Sequence, residues 1–199
     1  MKLYRTPFSR SYWRDAAAEL KDLRKLVFAA LMIAACLILN KFKIPLGENL
    51  SLSVTFLARA LCATVCGPVV AIVFGAAEDT LGFFIGGSNG PYFPGYMITT
   101  ITGCVIYALF FYRQRITWWR IILAKLLTNI QNVLLGSLWS AMLYSKGYLY
   151  YMTTSAWKNA LYLVPQILLL ALVLAAVLPV IHRLQWAPRQ LEGKKIPWK

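Results

Sequence analysis

Acid is scarce in this chain, and so is imidazole. Its 199 residues hold seven Asp and Glu against 21 Lys and Arg, with one histidine and four cysteines. Such a set supplies no paired carboxylates across an aqueous cleft, no HExxH helix and no Gly-rich phosphate loop, so no enzyme activity is expected. The one histidine, His182, stands at the end of the last apolar run, far in sequence from any candidate nucleophile. There is no Walker motif, so this polypeptide does not hydrolyse ATP itself. Cys36, Cys62, Cys66 and Cys104 all fall within apolar runs. Cys62 and Cys66 are one helical turn apart, yet no further cysteine or histidine lies at matching depth. They read as small packing residues, and no metal site or bound cofactor is expected. The first 25 residues are charged and lack an apolar h-region, so no cleavable leader is expected there.

Apolar residues, by contrast, make up 59% of the chain, with 14% charged and a mean hydropathy of +0.59. Runs of roughly 18 to 25 apolar residues mark membrane-spanning helices. The formal charge of +14 raises the question of nucleic acid, and the placement of the charges answers it. Lys2, Arg5, Arg10, Arg14, Lys21, Arg24 and Lys25 lie in the N-terminal segment. Arg113, Arg115 and Arg120 lie in RQRITWWR, and Arg183, Arg189, Lys194, Lys195 and Lys199 at the C-terminal end. The alternate loops hold only Lys41, Lys43, Lys146 and Lys158. That asymmetry is the positive-inside pattern and puts both termini in the cytoplasm, with basic tails on anionic lipid rather than on nucleic acid.

The expected fold is all-α, a polytopic membrane protein of six transmembrane helices preceded by an N-terminal amphipathic interfacial helix. Residues 9–23 mix charged and apolar side chains at helical spacing, which places Tyr12 and Trp13 at headgroup level. Spans are expected at about 26–40, 50–65, 69–85, 95–112, 119–144 and 157–181, with a tight turn at Gly67-Pro68. The chain thus divides into an interfacial segment 1–25, a bundle 26–183 and a basic tail 184–199, together one integral membrane domain. Three connections face outward: 41–49, 86–94 and 145–156. The second belongs to the stretch GGSNGPYFPGYMITT, whose glycines, prolines and aromatic pair Tyr92-Phe93 exceed what a chain reversal needs.

Ionisable residues at membrane depth are costly and point to function. Arg59 lies eight positions before Gly67 and Glu78 eleven after, or roughly 12 and 16 Å at 1.5 Å per residue. Arg59 can therefore meet Glu78 or Asp79, either as a structural ion pair or as part of a site. Glu78 and Asp79 point about 100° apart, so at most one faces a given pocket. Asp79 suits a bidentate match to a flat heterocycle with adjacent N–H donors. Lys125, Thr128, Asn129, Gln131 and Asn132 cluster early in the fifth span, either as interhelical hydrogen-bond partners or as a site. Ala30 and Ala34 form an AxxxA on the first span, which lets another helix approach closely, in this chain or in a partner.

Five stretches now carry a resemblance: ELKDLRKLVFAALMIAA, CGPVVAIVFGAAEDTLGFFI, NGPYFPGYMITTITGCVIYALFF, LLGSLWSAMLYSKG and WKNALYLVPQ. Through them nearly the whole chain resembles the substrate-binding S components of energy-coupling factor (ECF) vitamin transporters, most closely the folate-specific members. The resemblance implies a six-helix protein that captures its vitamin from outside under extracellular loops. It implies docking through Ala30 and Ala34 onto a transmembrane coupling subunit driven by two cytoplasmic ATPases, which alone bind ATP. Asp79 matches the acidic position of the third span, a candidate for the pterin edge. Tyr92, Phe93 and Pro94 match the capping loop, and Lys158 and Asn159 the polar pair at the outer start of the sixth span. The chain departs from the pattern at Ser155-Ala156-Trp157, where an arginine is usual. It departs again at Arg59, where a small or apolar residue is usual and where an anion-binding role becomes possible.

The residues agree with that implication. Folate joins a flat pterin to a glutamate with two carboxylates, so its pocket needs stacking surfaces, an edge partner and cations. Tyr92, Phe93 and Trp157 offer stacking, worth about 1–3 kcal/mol per ring in nucleobase systems. Lys158, Lys41 and Lys43 offer attraction for the tail. The Gly/Pro loop reads as a lid, since irregular backbone near the membrane is tolerable where it lines a cavity. An S component for riboflavin, thiamine or pantothenate stays open, as does a small polytopic membrane protein acting alone.

Overall fold

The computed structural model describes residues 3–4, 6–41, 54–86, 92–144, 147–188, 190–191 and 196–198, and the backbone of 44–47 and 50–52. Its elements run α1 (Arg10–Ala18), a 3-10 turn (Glu19–Lys21), α2 (Leu23–Lys41), strands β1 (Ile44–Gly47) and β2 (Leu50–Leu52), then α3 (Thr55–Gly86), α4 (Pro94–Phe111), α5 (Trp118–Leu143) and α6 (Tyr148–Arg183). The last five of the helices are long and apolar enough to cross a membrane. Lys43 and the middle of the lid, 87–91, lie outside the described residues.

The 32-residue α3 is folded back on itself. Gly67 has φ 81° and ψ 176°, a backbone conformation that only glycine adopts without strain, and Pro68 then opens the second arm. The proof of reversal is a contact: the Arg59 guanidinium lies 2.9 Å from the Glu78 carboxylate. In a straight helix those nineteen positions would separate the two by roughly 28 Å. With α3 counted as two antiparallel arms, the bundle has six helical arms, as expected. A methyl group on Gly67 would lie 2.9 Å from the Tyr112 ring, which fills the space beneath the turn.

Helix neighbours follow chain order: α3 packs on α2 and α4, α4 on α5, and α5 on α6. The core centres on α3, whose buried Ala58, Ala60, Cys62, Ala63, Cys66 and Ala71 are small enough for close approach. Gly75 is needed for the same reason, because a Cβ there would meet the Ile101 backbone at 2.9 Å. All four cysteines are buried and free.

One end of the bundle is tied together by the two terminal segments. Tyr12, Ala16 and Glu19 recur at helical spacing and are all buried. Tyr12 therefore faces the protein rather than lipid: its ring packs edge-on against Tyr112 and its hydroxyl donates to the Ala108 carbonyl at 3.0 Å. The inward face of α1 and the following turn carries acid as well as apolar groups, and the acids find partners. Arg113 pairs with Asp15 and Glu19, Lys25 pairs with Glu19, and the Tyr112 hydroxyl donates to Glu19 at 2.7 Å. Burial pushes the Tyr12 phenol up, and burial together with the adjacent Glu19 carboxylate does the same to Tyr112. The residues after α6 fold back too, with Ile116 N–H donating to Gln190 and Trp118 N–H to Pro197, each at 3.0 Å. Gly67 and the turn after α4 share this base end.

The opposite end differs from expectation in two places. Residues 50–52 form a strand, not the start of the second span, and pair antiparallel with Ile44–Gly47. The first arm of α3 thus begins at Thr55. The sixth helix begins at Tyr148 rather than near 157, capped by Gly147, so most of the third connection is helical. The Thr153 and Thr154 hydroxyls bond back to carbonyls of their own helix, which lets polar residues continue it.

Candidate functional site

Between α3, α4 and α5 lies a polar cavity of about 110 Å³, walled by Phe56, Arg59, Thr99, Gly103, Tyr107, Lys125, Thr128, Asn129, Gln131 and Asn132. Helical spacing explains the α5 contribution: Lys125, Thr128, Asn129 and Asn132 are three or four apart and share a stripe. The reversal at Gly67 explains the rest, because it turns Arg59 inward at matching depth. Asn129 also belongs to a second, largely apolar cavity of about 250 Å³ between α5 and α6, where Asn159 and Ala156 stand opposite it.

Each charge in this interior has distinct surroundings. Glu78 is 3% exposed and held by Arg59. Asp79, half buried, accepts the Thr100 hydroxyl at 3.1 Å and does not line the polar cavity. Lys125 is 4% exposed, with its ammonium 3.4 Å from the Tyr107 hydroxyl and 3.9 Å from the centre of the Phe56 ring.

Above the cavity, toward the end away from Gly67, sits an aromatic cap. Tyr92 packs on Phe83 and Phe84 with centroids 5.1 and 6.0 Å away, and its hydroxyl is 3.4 Å from that of Thr80. Phe93 occupies the N-cap of α4 with Pro94 at the first helical position, and its ring lies 5.7 Å from Trp139. Trp139 donates in turn to the Thr99 hydroxyl at 2.9 Å, which joins the cap to the cavity wall.

The expected site residues therefore separate into groups. Arg59 lines the polar cavity, Asp79 stands beside it on the same arm as Glu78, and Tyr92, Phe93 and Pro94 form the cap. Asn159 bonds to Ser155 at 2.8 Å and its carbonyl receives Asn129, away from the polar cavity. Lys158 is half-buried some three turns into α6 rather than at its start. Trp157 is 75% exposed on the surface of α6. Lys41 is held at this end by its bond to the Gly86 carbonyl at 3.1 Å. Ala30 and Ala34 are exposed on one face of α2 with Val27, Leu31 and Ile38, so neither is consumed by packing within the chain. The lining set Lys125, Thr128, Asn129, Gln131 and Asn132 is what the sequence left undecided between packing and site. The signal was the polar stripe itself, and what it lacked was the neighbouring helices.

Among the described residues no group of three or more His, Cys, Asp or Glu is placed to hold a metal. The family described as ECF transporter, substrate-specific component, matches this chain over residues 24–182. A folate transporter, FolT of Clostridium novyi (strain NT), is 27% identical over 143 residues, covering 71% of this chain and 83% of its own. A crystal structure of FolT bound with folic acid is similar with a TM-score of 0.67 at 25% identity, covering 74% of this chain and 90% of that one.

Proposed function

The chain belongs to the substrate-specific components of ECF transporters, and from that membership we propose that it is the folate-binding subunit of an ECF importer in a prokaryotic plasma membrane. It captures folate from outside and performs no chemistry on it. Delivery inward then depends on docking to a transmembrane coupling subunit and on two ATPase subunits that bind the ATP. The observation that carries this reading is a polar cavity set into an apolar bundle beneath a cap of Tyr92, Phe93 and Trp139. Flat ligands with polar edges need that combination.

In this reading Tyr92, Phe93 and Pro94 cover the ring, and Asp79 takes N–H donors on its edge in place of the Thr100 hydroxyl. Arg59 sits in the wall, locked to Glu78. Lys158, Asn159, Lys41 and Lys43 guide an anionic tail on approach. Of the expected contacts, Trp157 is the one whose present orientation does not serve the reading. Ala30 and Ala34 offer the coupling subunit a flat strip, since small exposed residues four apart admit a close helix.

Calorimetric titration of the purified chain against folic acid, riboflavin, thiamine and pantothenate tests the proposal. Tight binding of folic acid with no response to the others is the expected result. A response to another vitamin alone reassigns the ligand, and silence toward all of them removes the reading.

A further inference from the structure

The charges inside the bundle do not balance. Arg59 and Glu78 answer each other across 2.9 Å. Lys125 is buried just as deeply, yet no carboxylate lies within ion-pairing distance of it among the described residues; it has only a phenol and the face of Phe56. An ammonium without a counter-charge is among the costliest groups to hold at membrane depth. A second donor is also unused there, because the buried Nε–H of Arg59 has no partner. Both side chains wall the same cavity, as do Asn129, Gln131 and Asn132, of which Asn129 and Gln131 each give one amide N–H to a backbone carbonyl.

The cavity is about 110 Å³, whereas small-molecule sites run to roughly 300–1,000 Å³. It takes one end of a ligand, not a whole vitamin. Lys125 lies seven positions into α5, roughly 10 Å from the base end of that helix, so this is the deep end of any path from the aromatic cap. Its charged donor is Lys125, and the one carboxylate nearby, Glu78, is already engaged by Arg59.

We propose that this cavity is the seat of a carboxylate of the transported ligand, with Lys125 as its counter-ion and the Arg59 Nε–H as a further donor. The inference rests on the folate reading and deepens it: the anionic end goes down to Lys125, and the flat ring stays near Asp79 beneath Tyr92 and Phe93. It also gives Arg59 a secondary part, since its charge is spent on Glu78.

The test uses the full chain in detergent, as wild type, Lys125→Met and Lys125→Arg. Each is titrated with folic acid, its neutral dimethyl ester, biotin and pantothenate, and with riboflavin and thiamine, which lack a carboxylate. The vitamin bound by wild type should carry a carboxylate. Lys125→Met should weaken its binding at least tenfold, Lys125→Arg much less, and the ligand-free melting temperature of Lys125→Met should hold or rise. A merely structural lysine would lower that temperature and leave acid and ester equally affected. Wild type should also prefer folic acid to the ester at least tenfold, a comparison that decides the matter if Lys125→Met does not fold. Equal affinity for acid and ester, full binding by Lys125→Met, or capture of riboflavin or thiamine overturns the inference. Lys125-dependent binding of biotin or pantothenate without folic acid ends the folate reading and keeps the carboxylate seat. Silence toward the whole panel ends both.

Discussion

Glu78 and Asp79 are adjacent, yet the turn of the helix gives them different neighbours. Glu78 points into the core, where Arg59 meets its charge; Asp79 points toward α4 and takes a hydroxyl. Removing one partner of a buried pair strands the other, at about 3–5 kcal/mol. Arg59 keeps 29% side-chain exposure, so Glu78→Leu should sit below that range, while Arg59→Leu should approach about 3 kcal/mol. The double variant Arg59→Leu/Glu78→Leu should lose clearly less than the sum of the two, read as thermal unfolding in detergent. Strict additivity would mean that the two charges are not coupled. Asp79→Ala forfeits one hydrogen bond, about 0.5–1.5 kcal/mol of stability, and expression should survive it. Its folic acid affinity should nevertheless fall more than tenfold, and an unchanged calorimetric constant would take Asp79 out of the site.

At the scale of the element, the reversal inside α3 is the feature on which the site depends, since it brings Arg59 and Glu78 to one depth. Gly67→Ala places a Cβ against the Tyr112 ring in a glycine-only backbone region, so a loss of about 1–3 kcal/mol is expected. An unshifted melting curve would show that the turn relaxes freely. The reversal was legible as Gly-Pro between two apolar runs, and depth followed from counting residues away from it. Two other boundaries were misread for physical reasons. Residues 50–54 read LSLSV, an apolar-polar alternation that favours a strand, but their place beside an apolar run made them look like a helix start. YLYYMTTSA has the polarity of a loop but no Gly or Pro to stop a helix, and Thr153 and Thr154 satisfy their hydroxyls along the backbone. The exposed alanines of α2 allow a sharper statement. Ala30→Trp and Ala34→Trp should abolish uptake in cells while folic acid still binds the purified chain with wild-type affinity. Loss of binding in those variants would place the alanines in the chain's own packing instead.

Across the whole molecule, charge and topology agree because both derive from the same alternation of ends. α1, the Gly67 turn, the turn after α4 and the residues after α6 gather at the base, and most of the described basic residues lie there. The opposite end carries the strand pair, the aromatic cap and Gly147. Its described lysine, Lys41, donates to the Gly86 carbonyl at the end of α3. The polar cavity was only half legible from the chain. The α5 stripe announces itself by spacing, but nothing in one dimension says that Arg59 of α3 joins Lys125 of α5 while Asp79 does not. Orientation is an expectation drawn from the basic end: an excess of Lys and Arg favours the cytoplasmic side, so the base should face the cytoplasm. The four native cysteines are buried, so an impermeant maleimide should report only thiols that are introduced. In intact cells it should label Thr153→Cys, near the cap end of α6, at once. Arg14→Cys on α1 and Arg183→Cys at the end of α6 should react only after permeabilisation. The opposite order would turn the molecule over, put the cap and its cavity on the cytoplasmic side, and convert the reading from capture outside to binding from within.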